Sequence, residues 1–283
     1  MGIIKKIFKL KNKDNKIISG DIYYPEMIDG KLPLVIISHG FKGFKDWGFL
    51  PYVSSKFAEN GNIVICFNFS LNGNPGNDLI VSNVEDFANN TITREVEDLQ
   101  FLIDSALKPA FAEFTPIKQF WNGSIFLLGH SLGGAISLIV AQNNSVVSKV
   151  ALWASIAKLD RYTKRQKIEW KKKGFLEFTN LRTNQHLRMN VSYLEDIEKN
   201  NKKYDLPGIT AKLDKPVLLI HGKQDVTVPA KEAQMMINAD NNKVVSYKLI
   251  EKTGHTFGIE HPLTKITPAL EEAINLTSGF FQL

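Results

Sequence analysis

The run Gly129-His130-Ser131-Leu132-Gly133-Gly134 is a G-x-S-x-G pattern set directly after an apolar stretch and directly before a helical one. On such a strand-to-helix turn the serine is forced into a strained backbone conformation, and only glycines flank it without a side-chain clash. The turn lifts the Ser131 hydroxyl clear of the sheet, at the positive end of the helix that follows. The chemistry this placement serves is nucleophilic attack on a carbonyl. A serine hydroxyl is a weak nucleophile until a base takes its proton, so a histidine is required.

Of the six histidines, His130 adjoins the serine and faces away from it by the geometry of the turn. His39 and His221 each end an apolar run, and His186 lies in a charged segment. The base belongs on a loop at the carboxyl end of the sheet, after its partners in chain order. His255, in Thr253-Gly254-His255-Thr256-Phe257, meets that requirement, with His261 as the fallback. The imidazole needs a carboxylate to hold its tautomer and to stabilise its positive charge. Asp225 stands just beyond the apolar run 216–220 and 30 residues before His255, whereas Asp214 and Asp240 are less well placed. Acyl transfer also needs N–H donors aimed at the developing oxyanion. The backbone N–H of Leu132 is one candidate, and that of Phe41, after His39-Gly40, is the other.

Positioning these groups takes strands alternating with helices. Residues 3–10 and 17–24 alternate apolar and polar side chains and predict an antiparallel edge hairpin. Leu32–Ser38, 62–69, 124–128, Val147–Trp153 and 216–220 are nearly continuous apolar runs, as strands covered on both faces should be. Helical spacing at 47–60, 91–107, 132–142, 229–237 and 262–279 separates them, and 244–250 supplies a last strand. The pattern predicts an α/β fold with a mostly parallel central sheet and helices on both faces. Residues 71–90, rich in Asn, Gly, Pro and Asp, read as a long surface loop. Residues 155–215 break the rhythm, being charged, helix-prone and without a strong buried strand. The expected organisation is a core of 1–155 and 213–283 with a small inserted helical cap at 156–212.

The 283 residues are 43% hydrophobic and 23% charged, ordinary globular usage that excludes a disordered chain. No apolar stretch approaches the length of a membrane span, and the first residues lack a secretory apolar core, so a cytoplasmic protein is expected. The one cysteine, Cys66, rules out an internal disulfide and a cysteine-based zinc site. Net charge is +6, and the segment 158–173 accounts for it, with eight basic residues against Asp160 and Glu169. Its plain reading is a solvated helix face, its functional reading a patch for anionic substrates or polyanions. No nucleic-acid motif accompanies it.

The order Ser131, Asp225, His255 with the His39-Gly40 loop upstream resembles the α/β-hydrolase superfamily over nearly the whole chain. Within it, SHGFKGFKDWGF, GHSLGG, HGKQDVTVP and TGHTF are similar to the dienelactone hydrolase, serine aminopeptidase-like and cinnamoyl (feruloyl) esterase group. The resemblance implies Ser131 as nucleophile, Asp225 as acid and His255 as base, and an inserted cap that shapes the acyl pocket. Ser131 stands where dienelactone hydrolases carry cysteine. The expected activity is hydrolysis of a small-molecule carboxylic ester, short-chain or aromatic, through an acyl-enzyme, with no cofactor and no metal. Trp170, Phe175 and Tyr193 are the candidate substrate contacts. An acyl-CoA thioesterase or acyltransferase, a small aminopeptidase and a non-catalytic binding protein are the alternatives. Neither nucleic acid nor membrane is expected as a partner, and both monomer and homodimer are compatible with the sequence.

Overall fold

The computed structural model describes residues 2–76, 80–108, 114–180 and 183–282. Eight strands form one sheet in the order β1-β2-β4-β3-β5-β6-β9-β10. These are β1 (Ile3–Lys11), β2 (Ile17–Pro25), β3 (Leu32–Ser38), β4 (Ile63–Asn68), β5 (Trp121–His130), β6 (Val147–Trp153), β9 (Val217–Gly222) and β10 (Val245–Ile250). The β1–β2 and β2–β4 pairs are antiparallel, and every other pair is parallel. The apolar runs are continuous because both faces are covered. Along β3, Leu34 and Ile36 join one core while Val35 and Ile37 join the other. The first core packs under α3 (Ile92–Leu107), α5 (Leu132–Asn143) and α9 (Lys231–Ala239); the second packs under α1 (Leu50–Glu59) and α10 (Pro268–Gln282).

Helix ends follow local chemistry. The Thr91 hydroxyl caps α3 by accepting from the Arg94 N–H at 3.1 Å. Helix α1 starts at Leu50 rather than at 47, with Pro51 in its first turn, where a missing N–H costs nothing. Helix α3 also carries two buried carboxylates. Asp98 accepts from the Ser70 N–H at 2.7 Å and from Asn12 Nδ2 at 3.0 Å. Glu95 accepts from Asn90 Nδ2 at 2.7 Å, its other oxygen meets no partner among the described residues, and burial pushes its carboxyl up to about 8.

Two segments differ from the expectation. Residues 71–90 are not simply a surface loop: Leu71, Asn72, Asn74, Val81 and Phe87 are buried, and α2 (Val84–Ala88) lies within the segment. The asparagines make it compact by hydrogen-bonding main chain. Asn72 Oδ1 accepts from the Asn74 N–H at 2.9 Å, and Asn68 Nδ2 donates to the Asn74 carbonyl at 2.9 Å. Part of this segment, 77–79, lies outside the described residues. Between β6 and β9 the chain forms α6 (Lys164–Lys173), α7 (Val191–Lys199) and α8 (Leu206–Thr210), but also an antiparallel hairpin of β7 (Phe175–Asn180) and β8 (Gln185–Asn190). The hairpin strands alternate only weakly and include Glu177, His186 and Arg188, which is why periodicity does not reveal them. Helix α4 (Thr115–Phe120), which the sequence pattern does not predict, precedes β5. No described helix is long and apolar enough to cross a membrane.

Candidate active site

Strand β5 runs straight into α5, and Ser131 occupies the turn between them with φ 57° and ψ −117°. A left-handed non-glycine residue costs about 1–2 kcal/mol, and the packing around it holds it there. Gly129 is required by close approach: a Cβ there would lie 2.2 Å from the Gly133 carbonyl oxygen, so strand and helix could not meet. The Ser131 N–H donates to the Trp153 carbonyl at 2.9 Å, which anchors the turn to β6.

His255 lies on the loop after β10, and its Nδ1 is 2.7 Å from Asp225 Oδ2, on the loop after β9. The carboxylate only accepts, so the proton sits on Nδ1 and Nε2 is left as the basic nitrogen. Asp225 is itself fully held. Its Oδ1 accepts from the Thr227 N–H at 2.9 Å and the Val228 N–H at 2.8 Å, and its Oδ2 also meets His221 Nε2 at 3.3 Å. Burial opposes the charge on Asp225, but hydrogen bonds from His221, His255 and Val228 outweigh it and hold the carboxyl well below the usual range.

The loop after β3 closes the other side. Gly40 passes so near the serine that a Cβ there would lie 3.0 Å from Ser131 Cβ. His39 Nδ1 donates to the Gly40 carbonyl at 2.9 Å, and its Nε2 accepts from Asn72 Nδ2 at 3.3 Å. Burial pushes its imidazole down to about 4, so it stands neutral as a strut of this loop. Phe41 and Leu132, the predicted oxyanion donors, follow Gly40 and Ser131 directly, on this loop and in the first turn of α5.

Ser131 and His255 share a cavity of about 410 Å³ whose walls include Phe41, Trp47, Phe49 and Val81. Its apolar lining fits an uncharged acyl or alcohol group, and no carboxylate of a described residue lines it. The sequence-predicted substrate contacts are placed elsewhere. Trp170 is fully buried inside the insertion, donates from Nε1 to the Met189 carbonyl at 3.0 Å and stacks with Tyr193. Phe175 lies half-buried beneath the Arg188 guanidinium. The insertion instead reaches the cavity with Thr179, Asn180 and Thr183. The turn directs His130 away from the serine, yet its Nε2 lies 2.9 Å from the His255 carbonyl oxygen. His261 accepts the Gly48 N–H on Nδ1 at 2.9 Å and stacks on Trp47 at the cavity wall.

A sheet of this order, with a strained serine between strand and helix, a histidine–aspartate pair on later loops and both facing one cavity, defines an α/β hydrolase of the serine type. A family model matches residues 113–273, more than half of the chain, and it is that of the prolyl oligopeptidase family. The chain belongs to this family. It is similar to a Mycoplasma genitalium protein assigned as an esterase/lipase, 25% identical over 201 residues that cover 59% of this chain and 71% of the relative. Among solved structures it shares its fold with Est1E from Butyrivibrio proteoclasticus bound to ferulic acid (TM-score 0.71, 17% identity, 97% and 98% of the two chains). Mouse α/β hydrolase domain-containing protein 10 is likewise similar (TM-score 0.71, 18% identity, 98% of each chain).

Proposed function

We propose that the protein hydrolyses carboxylic esters of short-chain or aromatic acids through an acyl-enzyme formed on Ser131. The observation that carries this reading is the Nδ1–Oδ2 contact of 2.7 Å between His255 and Asp225 beside the cavity that also exposes Ser131. His255 Nε2 takes the serine proton as Oγ attacks the ester carbonyl, and Asp225 stays ionised and steadies the imidazolium. The N–H groups of Phe41 and Leu132 receive the oxyanion. His255 then passes its proton to the departing alcohol. In the second half, His255 takes a proton from water, hydroxide adds to the acyl carbonyl, and Ser131 leaves with that proton.

The relative assigned as an esterase/lipase and the neighbour solved with ferulic acid support an ester substrate. The test is hydrolysis of p-nitrophenyl esters from acetate to decanoate, together with a ferulate ester, by wild type and Ser131→Ala. Turnover that vanishes with Ser131 supports the reading, and equal turnover in both proteins overturns it.

Family membership favours a second reading, cleavage of an amide or peptide. A free amino terminus would need an acidic partner. Asp196 is already engaged by the Thr93 N–H and hydroxyl, and neither Glu177 nor Glu195 lines the cavity. Aminoacyl p-nitroanilides distinguish the two readings, since turnover faster than that of the esters would establish a peptidase.

A further inference from the structure

The fold neutralises only part of the basic excess of residues 158–173. Arg161 pairs with Glu232, Lys167 with Asp160, Arg165 with Glu169 and Lys171 with Glu198. Among the described residues, Lys158, Lys164, Lys172 and Lys173 meet no acidic partner. Helix α6 is firmly built: a Thr163–Gln166 capping box starts it, Gly174 in the left-handed conformation ends it, and Trp170 is its one buried residue. At about 100° per residue, Lys164, Arg165, Ile168, Lys171 and Lys172 fall within an arc of about 120°, on the side facing away from Trp170.

Ile168 is the odd member of this face. It is 68% exposed, in a helix otherwise made of charged and polar residues around one tryptophan. Its neighbours one turn away in either direction are all cationic. A solvated face gains nothing from isoleucine at its centre, and a soluble polyanion offers it no apolar contact. A surface that is negative outside and apolar just beneath matches both features. The face is also tied to the catalytic cavity. Arg161, just before α6, donates to the Thr227 carbonyl at 3.2 Å, and Thr227 lines the cavity beside His255.

We propose that the outer face of α6 is a peripheral docking surface for an anionic lipid bilayer. Ile168 enters the headgroup layer, and Lys164, Lys172 and their neighbours meet lipid phosphates. The sequence predicts neither a spanning segment nor a membrane partner, but a peripheral contact of this kind needs no span. The inference is independent of the esterase reading, because its readout is binding.

The test is co-sedimentation of the full chain with phosphatidylcholine vesicles, alone or mixed equally with phosphatidylglycerol. The expected result is partitioning about tenfold stronger into the mixed vesicles, abolished at about 0.5 M salt. Ile168→Asp, and separately Lys164→Glu with Lys172→Glu, should each reduce it about tenfold. The circular dichroism and melting temperature of both variants should stay unchanged, since all three side chains are exposed. Equal binding to the two vesicles, no binding, or binding unaffected by the variants overturns the proposal. Retention on heparin without vesicle binding would reassign the face to a soluble polyanion. A dimer broken by Ile168→Asp, again without vesicle binding, would reassign it to a second copy of the chain.

Discussion

His130 Nε2 lies 2.9 Å from the main-chain carbonyl oxygen of His255, 125 residues further along the chain. The residue beside the proposed nucleophile thus braces the backbone of the proposed base. Their rings approach to 4.8 Å, and Phe49 meets the His130 ring edge-on at 5.3 Å, so the brace is packed as well as hydrogen-bonded. The contact ties the turn of the serine to the loop of the base, even though they come from opposite sides of the 154–216 insertion. Proton transfer depends on that spacing to a fraction of an ångström.

His130→Phe keeps the ring and removes the donor. It should lower kcat about 10- to 100-fold with little change in KM, because an unpaired carbonyl costs about 1–3 kcal/mol and the loop carrying His255 relaxes. His130→Gln, which restores a donor, should recover part of the loss. A merely structural role would instead lower melting temperature and leave kcat per folded molecule intact, so both are measured.

Ser131→Ala should reduce ester turnover by a factor on the order of 10⁴ to 10⁶, leaving what binding and the main-chain donors provide. Asp225→Asn should cost roughly 10⁴, because the amide can present N–H to His255 and favour the wrong tautomer. Steady-state kinetics on p-nitrophenyl acetate give both numbers. A small effect at Asp225 would show that the carboxylate is not needed to orient His255.

Glu95 sets a pH dependence of stability. Its carboxyl is pushed from an ordinary value of 4.5 up to about 8 in the folded chain. Below pH 4.5 folded and unfolded forms are both protonated, and the group costs nothing. As pH rises from 4.5 to 8 the unfolded form releases its proton first, so stability falls across that window and levels off above it. Glu95→Gln removes the titration. Its melting temperature should exceed wild type at about pH 9 by clearly more than at about pH 5, and equal differences at the two would refute this.

Lys45 is 2% exposed, with Nζ 3.0 Å from Asp21 and 2.5 Å from Asp46, on the same connection between β3 and α1 that carries Gly40 and Phe41. Lys45→Met leaves buried Asp21 with Lys5 as its remaining ion-pair partner. The loss should be about 3 kcal/mol, a fall in Tm of roughly 5–10 °C by calorimetry. The double change Lys45→Met with Asp21→Asn should regain part of it.

Legibility followed burial. Strands β3 and β6 occupy the residues the apolar runs predict, because β3 is covered on both faces and the buried run Val150–Trp153 marks β6 despite Ser148 and Lys149 at its start. The loop ends of the sheet were likewise readable, which is why the turn at Ser131 and the loops of Asp225 and His255 can be placed from motif and chain order. Asparagine-rich composition misled at 71–90, since Asn68 and Asn72 satisfy buried main chain as well as water would. Aromatic content misled in the insertion: Trp170 and Tyr193 fill its interior, and nothing in residue type separates that role from lining a pocket. The brace from His130 to His255 depends on where two distant loops meet, so no local pattern encodes it.

Strands β6 and β9 pair directly, Trp153 opposite Ile220, so the chain leaves the sheet and re-enters it one strand spacing away, about 4.8 Å. Everything between is a closed excursion whose ends are pinned by the sheet rather than by its own contents. Closing such an excursion costs only about 0.6 kcal/mol more for each doubling of its length. Lineages sharing this sheet can therefore replace the whole segment, hairpin and helices together, while Ser131, Asp225 and His255 keep their positions. The wall that Thr179, Asn180 and Thr183 give the cavity can then change without moving the loops that carry Ser131, Asp225 and His255.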